Sequence, residues 1–306
     1  MKKFIILFVL ALFTIQIGLA QDDESKKEKK KKDRPVTEMW ASGLLIDEQT
    51  SMIPNKKSLE MQIHHRFGLI KDNGISDLFG IYAPSANTRM GLNYSILDNL
   101  MVGYGITRKN MYSDFQVKWN ILRQTRKNTV PLTLTLYANM AIDGRNKNVY
   151  TTATEDSTYK FANRFSYFTQ IMVSRKFTDW FSFAVTGSFT HYNSVPADTA
   201  NIRGMDHDKF GVSFQARFKF SPQSSLLILY GIPLNIGQIA ENHTVTNQSM
   251  QNFGVAYEVA TASHAFQIFF SASNGIISPD VYMWNNSDWT KGEFRIGFNI
   301  TRWWEF

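Results

Sequence analysis

Apolar and polar residues alternate with a period of two from about residue 59 to the C-terminus, and this is the period of a β-strand. The last segment is the clearest, because Phe294, Ile296, Phe298 and Ile300 share one face and polar residues share the other. Eleven earlier segments repeat the pattern, namely 59–69, 90–96, 100–106, 115–121, 132–140, 165–173, 181–189, 210–220, 226–232, 253–259 and 266–272. We therefore predict twelve strands.

A soluble β-sandwich also alternates, so the period alone does not fix the fold. The apolar phase here holds large residues and almost no charge, as a lipid-facing surface requires. Connections near residues 98, 127, 178, 222 and 263 are short, whereas those at 71–87, 142–163, 193–208, 234–251 and 274–292 are long. Unpaired backbone groups are costly in lipid, so the sheet must close. These features predict an all-β fold, an antiparallel up-and-down transmembrane β-barrel of about 12 strands.

The N-terminus reads as an export signal followed by a spacer. A basic start, an apolar stretch and a small-x-small pattern predict a signal peptide over residues 1–20, cleaved between Ala20 and Gln21. Residues 21–34 have no apolar side chain and predict a charged flexible spacer. Residues 35–58 are either a periplasmic lead-in or a plug that folds into the lumen, and residues 59–306 form the barrel.

Charge and location follow from this division. The formal net charge of the chain is +7, but without the leader and the charged spacer about +3 remains, which gives no basis for nucleic-acid binding. The chain has no Cys, so disulfides, thiolate sites and an N-terminal lipoprotein anchor are excluded. An even number of strands places both termini in the periplasm of a Gram-negative bacterium, with the barrel in the outer membrane. Trp119, Trp180, Trp303 and Trp304 fall at the periplasmic strand ends, as in an aromatic girdle.

Two stretches carry a family resemblance, residues 59–68 and residues 86–124, and the segment 43–50 adds to it. They resemble an uncharacterised outer-membrane β-barrel family, domain-of-unknown-function family 5777. The resemblance implies a barrel and a cell location, and it implies no activity. The C-terminal Phe306, which ends an alternating strand, also resembles the signal that the barrel-assembly machinery reads.

Little in the sequence indicates catalysis, so we expect no enzyme activity, no cofactor and no metal. His191 and Ser194 near a strand end are the residues that a barrel lipid hydrolase would use, but catalysis needs a nucleophile, a base and an orienting group in contact. The loop Met205-Asp206-His207-Asp208 offers ligands for a hard cation, although no second ligand cluster stands near it in the sequence.

Charged and polar residues of the inward phase suggest what the lumen does. The candidates are Gln62, His64, Arg66, Arg89, Lys118, Arg164, Lys209, Arg217, Lys219, Glu258, Glu293 and Arg295. They form either a lumen filled by ion pairs or a narrow passive channel with a mildly positive field for a small anionic solute. We expect outer-membrane lipid and the barrel-assembly machinery as partners. A docking role for a secreted or periplasmic protein is a further alternative.

Overall fold

A computed structural model describes residues 33–153, 159–195, 206–236 and 249–306. Two short strands, β1 (Leu44–Leu45) and β2 (Glu48–Gln49), pair only with each other. Twelve longer strands follow: β3 (Ser58–Leu69), β4 (Asn87–Leu97), β5 (Leu100–Thr107), β6 (Ser113–Leu122), β7 (Thr133–Ile142), β8 (Phe165–Lys176), β9 (Phe181–Tyr192), β10 (Asp208–Lys219), β11 (Ser224–Leu234), β12 (Asn252–Ala260), β13 (His264–Ser271) and β14 (Arg295–Glu305).

These twelve strands form one closed barrel in which each strand pairs antiparallel with its sequence neighbours. Closure comes from β14 and β3, where Ile300 lies opposite Ile63, so no strand edge is left unpaired. Register shifts occur between Ser95 and Leu97, between Asn120 and Leu122, and between Arg295 and Gly297. The predicted twelve-stranded up-and-down barrel is confirmed.

The two ends of the barrel differ in the length of their connections. Short turns join β4 to β5, β8 to β9, β10 to β11 and β12 to β13 at one end, which we call the turn end. Both ends of the barrel sequence, Ser58 and Glu305, lie there. Most connections at the opposite end, the loop end, are long and carry the helices α1 (Ile70–Asn73), α2 (Asn148–Ala153) and α3 (Ser278–Met283). No helix within the described residues is long and apolar enough to cross a membrane.

The two faces of the wall have opposite character. In β3, Glu60, Gln62, His64 and Arg66 are buried and alternate with partly exposed residues. The outward residues are large and apolar, for example Met90, Leu92, Ile106, Ile268 and Phe270, each more than half exposed. Exposed apolar and buried polar side chains are the inverse of a water-soluble fold and are typical of a barrel in lipid.

Candidate functional site

The lumen contains a hairpin formed by residues 39–52, which we call the lumen hairpin. Leu44 pairs with Gln49 and Leu45 with Glu48, and Ile46 and Asp47 form the tip. Thr50 N donates to Gly43 O at 3.0 Å, and Trp40 Nε1 donates to Ser51 Oγ at 3.0 Å. Pro35 bridges to Thr125 in a connection at the turn end. The chain therefore enters from the turn end, reverses inside the barrel and returns to begin β3.

A buried ion pair anchors the tip. The Arg66 guanidinium contacts Asp47 Oδ1 through Nε and Nη2, each at 2.8 Å. Asp47 Oδ2 accepts from Asn252 Nδ2 at 2.9 Å and from the Ser271 hydroxyl. Arg66 also donates to Ile46 O at 2.9 Å and lies 4.4 Å from the centroid of the Phe269 ring. Every partner of the Asp47 carboxylate is a donor, so the wall is built to receive an anion at this point.

Polar wall residues hold the rest of the hairpin by its backbone. Lys118 Nζ donates to Gly43 O at 2.9 Å, and Gln215 Nε2 donates to Gln49 O at 2.9 Å. Gln267 bridges the hairpin, since its Nε2 donates to Leu44 O at 2.8 Å and its Oε1 accepts from Ile46 N at 3.2 Å. These donors come from β6, β10 and β13, on different sides of the barrel.

An apolar patch on the wall supports the same hairpin. Leu45 and Ile46 pack with Leu227 and Leu229 of β11 and with Phe269 of β13, and this cluster is fully or nearly fully buried. Gly254 of β12 provides the close approach, because a Cβ there would lie 3.1 Å from Ile46 Cγ2. The hairpin thus has a polar side and an apolar side, each matched by the wall.

A second insertion enters from the loop end. Helix α3 is buried along its whole length and lies against the inner faces of β7 to β11. Tyr192 donates its hydroxyl proton to Asp280 at 2.6 Å, and Lys109 Nζ lies 3.6 Å from the same carboxylate. A Cβ at Gly211 would lie 2.3 Å from the Tyr282 ring, so glycine is required for this approach.

The two insertions meet at Glu48. Its carboxylate accepts from Gln170 Nε2 at 2.8 Å and interacts with the Tyr282 hydroxyl of α3. Burial raises the pKa of Glu48 to about 7, and the nearby Asp47 adds to the shift while the two hydrogen bonds oppose it. This carboxyl group therefore changes charge near neutral pH.

Cavities flank the filled section. One of about 520 Å³ opens at the turn end and is lined by Trp40, Arg217 and Trp303, among others. A second, of about 380 Å³, lies at the loop end beside Tyr112, Tyr192 and Trp284. The hairpin and α3 lie between these two vestibules.

The structure places most of the predicted lumen residues on the inner face. The buried ones are Gln62, His64, Arg66, Arg89, Lys118, Lys209, Arg217, Glu258 and Arg295. Arg89 pairs with Asp114 at 2.7 Å and Arg217 with Glu258 at 2.8 Å, both within the wall. Lys219 is partly exposed at the turn end, where it pairs with Glu38 at 2.7 Å.

Arg164 and Glu293 differ from expectation, because β8 and β14 begin only after them. The alternation of inward and outward residues along a strand therefore does not determine where either side chain points. Arg164 ends a 3₁₀ segment and donates to Asp143 O at 2.7 Å, and Glu293 accepts from Asp288 N at 2.7 Å.

The residues considered for catalysis are separated. His191 Nδ1 is 2.6 Å from Asp208 Oδ1 and its Nε2 is 3.0 Å from Asn193 Oδ1, whereas Ser194 lines the loop-end cavity. No bond joins His191 to Ser194 in the part of the chain that the structure describes. That part also holds no group of three His, Asp or Glu side chains able to bind a metal ion. Ala20, Gln21 and Met205 lie outside the described residues, and Phe306 is 81% exposed.

Sequence reasoning missed the residues that hold the insertions, above all Asp47, Glu48 and Asp280. One signal was available. In Leu226-Leu227-Ile228-Leu229 the residues that face the lumen are as apolar as those that face outward. Phe269 and Phe168 are likewise apolar at positions where the alternation predicts a polar, lumen-facing residue. Such positions in a polar lumen need an apolar partner inside it, which the hairpin and α3 supply.

Comparison with known families decides the relationship of this chain. A family described as a membrane bound beta barrel domain, domain-of-unknown-function family 5777, matches residues 40–304. The chain belongs to this family. The match begins at Trp40, so all of the lumen hairpin except its first residue, Met39, lies within the family domain.

One solved structure has a similar fold, and a second is similar at a lower score. An outer membrane channel from Pseudomonas putida F1 is similar with a TM-score of 0.50 and 14% identity, over 83% of this chain and 97% of that chain. The KdgM porin is similar with a TM-score of 0.45 and 5% identity, over 80% of this chain and 98% of that chain. None of the curated protein sequences matches this chain significantly.

Proposed function

We propose that this protein is a non-enzymatic outer-membrane channel whose lumen is closed at rest by the lumen hairpin. The observation that supports this most directly is the attachment of the hairpin: a buried ion pair and backbone hydrogen bonds to the wall hold it between two vestibules. A barrel with only a structural role needs no separate insertion whose backbone is bonded to polar wall residues. Such bonds can be exchanged for water when the hairpin withdraws.

The charge of the wall indicates the solute. Among the described residues of the twelve barrel strands, six buried cations face three buried carboxylates, Glu60, Asp114 and Glu258. Asp47 and Glu48 of the hairpin offset part of this excess. Withdrawal of the hairpin would expose a positive lumen, which favours small anionic solutes.

The proposal also covers the membrane and the orientation of the channel. The exposed apolar band contacts outer-membrane lipid, both termini are periplasmic at the turn end, and Phe306 serves the barrel-assembly machinery. The His191–Asp208 pair resembles the base and orienting group of a hydrolase, but within the described residues His191 Nε2 bonds to Asn193 and no Ser or Thr hydroxyl bonds to His191, which favours a non-catalytic role.

The experiment compares the full chain with a variant lacking residues 39–52 in planar bilayers. Both ends of the deletion line the turn-end vestibule, so a short connection can rejoin them. The full chain should be mostly silent, and the deletion variant should give discrete conductance with a reversal potential that indicates anion preference. Silence of the deletion variant and of a second variant that also lacks α3, with the folded state of both verified by heat-modifiable gel mobility, would instead support a purely structural barrel.

A further inference from the structure

The loop-end vestibule combines aromatic side chains with cations. Tyr112, Tyr150 and Trp284 line this cleft of about 380 Å³ together with Lys109, Arg145 and Arg164. Within the described residues, two carboxylates stand against the three cations, Asp143 in the cleft and Asp280 beneath it. The cleft therefore has a positive excess beside aromatic faces.

The two arginines are fixed in place but do not use all their donors. Arg145 holds Asp143 through Nε at 3.0 Å and Nη2 at 2.6 Å. Arg164 donates from Nε to Tyr159 Oη at 2.6 Å and from Nη1 to Arg145 O at 2.6 Å. Within the described residues, Arg145 Nη1 and Arg164 Nη2 make no hydrogen bond. The carboxylate and carbonyl groups thus position guanidinium groups that keep N–H donors for a further anion.

The aromatic side chains can bind the uncharged part of a ligand. The Arg164 guanidinium already stacks on Tyr150, at 5.4 Å from the ring centroid, and Trp284 packs edge-on against Tyr192 at 5.2 Å. Burial is the largest cause that raises the pKa of Tyr112 and of Tyr150, with nearby carboxylates adding to it, so both phenols stay protonated. Neutral phenols offer ring faces without repelling an anion.

We propose that this cleft binds a small carboxylate carried on a ring with an apolar face, with Arg145 and Arg164 binding the carboxylate and the aromatic side chains packing on the ring. The ring is either aromatic or a sugar, because both present an apolar face to tyrosine and tryptophan. The site is separate from the lumen hairpin, so binding does not depend on whether the barrel conducts.

Isothermal titration calorimetry on the full chain in detergent micelles tests this proposal. The probes are benzoate against benzamide and glucuronate against glucose, with empty micelles as the blank. At least one carboxylate should bind saturably, and its neutral analogue should bind at least about tenfold more weakly, because a charge-assisted bond is lost. Binding of benzoate alone identifies an aromatic acid, and binding of glucuronate alone identifies an acidic sugar.

Variants locate the site. Arg145→Gln should weaken carboxylate binding about tenfold. Lys291→Gln is the matched control at the same end of the barrel, since the Lys291 side chain is 65% exposed and pairs with Asp288 outside the cleft. Trp284→Leu should weaken binding while leaving the heat-modifiable mobility unchanged. Absence of saturable binding, equal affinity for the neutral analogues, or equal affinity of Arg145→Gln and Lys291→Gln would overturn the proposal.

Discussion

Replacing Asp47 by Asn should release the lumen hairpin. The substitution keeps the shape of the side chain but removes its charge. Asp47 receives hydrogen bonds from Arg66 at one oxygen and from Asn252 and Ser271 at the other. In either orientation Arg66 loses its anion. The Asn NH₂ group also faces a donor, either the Arg66 guanidinium or the Asn252 amide.

The size of the effect follows from burial. Arg66 and Asp47 side chains are 1% and 0% exposed, so the pair is removed from water. Removing one partner of a buried ion pair costs about 3–5 kcal/mol. When the hairpin is withdrawn, Arg66 is hydrated and this cost disappears. The withdrawn population should therefore rise between about 10²-fold and about 4 × 10³-fold.

Thiol labelling can measure that population, because the chain has no native Cys. Leu227 lies beneath the hairpin and is 1% exposed, so Leu227→Cys should react with a water-soluble maleimide only after withdrawal. The labelling rate of Leu227→Cys, measured with and without Asp47→Asn, gives the shift in the equilibrium.

Asp179→Asn is the matched control, since Asp179 forms an ion pair with Lys176 at 3.1 Å but is fully exposed. It should change the labelling rate at most about fivefold, because exposed pairs contribute at most about 1 kcal/mol. If Asp47→Asn and Asp179→Asn label at the same rate, the ion pair does not hold the hairpin.

Three further changes test the same account, with Leu227→Cys as the probe unless stated. The pKa of Glu48 is raised to about 7, so the inserted hairpin binds more protons than the withdrawn one and insertion should weaken as pH rises through that value. The labelling rate of the protein with Glu48, divided by the rate of the Glu48→Gln variant, should therefore rise between about pH 5 and about pH 8. A constant ratio would contradict the burial of this carboxyl group. Phe269→Ala removes the ring under the hairpin and should raise labelling at least about 100-fold, from a cost of about 3–5 kcal/mol, whereas an unchanged rate would exclude the apolar patch as a support. Tyr192→Phe removes the hydroxyl that bonds to α3 and should raise labelling of Met283→Cys about tenfold without affecting the hairpin; equal changes at both sites would mean that the two insertions move together.

The barrel could be predicted from the sequence because lipid imposes a simple rule on each strand. Met90 and Leu92 face outward, while Arg89 and Asn93 are buried inside. If the strand were shifted by one residue, the Arg89 charge would face hydrocarbon. Chain entropy and hydrogen bonding then require antiparallel neighbours and closure.

The lumen hairpin could not be placed by the same rule. Leu44, Leu45 and Ile46 indicate only that the segment packs on something. A periplasmic lead-in and a lumen plug differ in their tertiary contacts, and such contacts leave no periodic pattern in residues 35–58. The pairing of Asp47 with Arg66 brings together residues from a hairpin tip and a strand, and no spacing in the sequence encodes it. The apolar inward residues of β11 were the available signal, because Leu227 and Leu229 need a partner within a polar lumen.

A disulfide between the hairpin and the wall tests the position of the hairpin most directly. A Cβ at Gly254 would lie 3.1 Å from Ile46 Cγ2, so Ile46→Cys combined with Gly254→Cys places two thiols within reach of each other. Mild oxidation in isolated membranes should cross-link most of this variant, whereas Ile46→Cys with Gly187→Cys, whose position is exposed on the outer face, should stay reduced. Absence of the cross-link in a folded barrel, or equal cross-linking of both pairs, would show that the hairpin does not occupy the lumen.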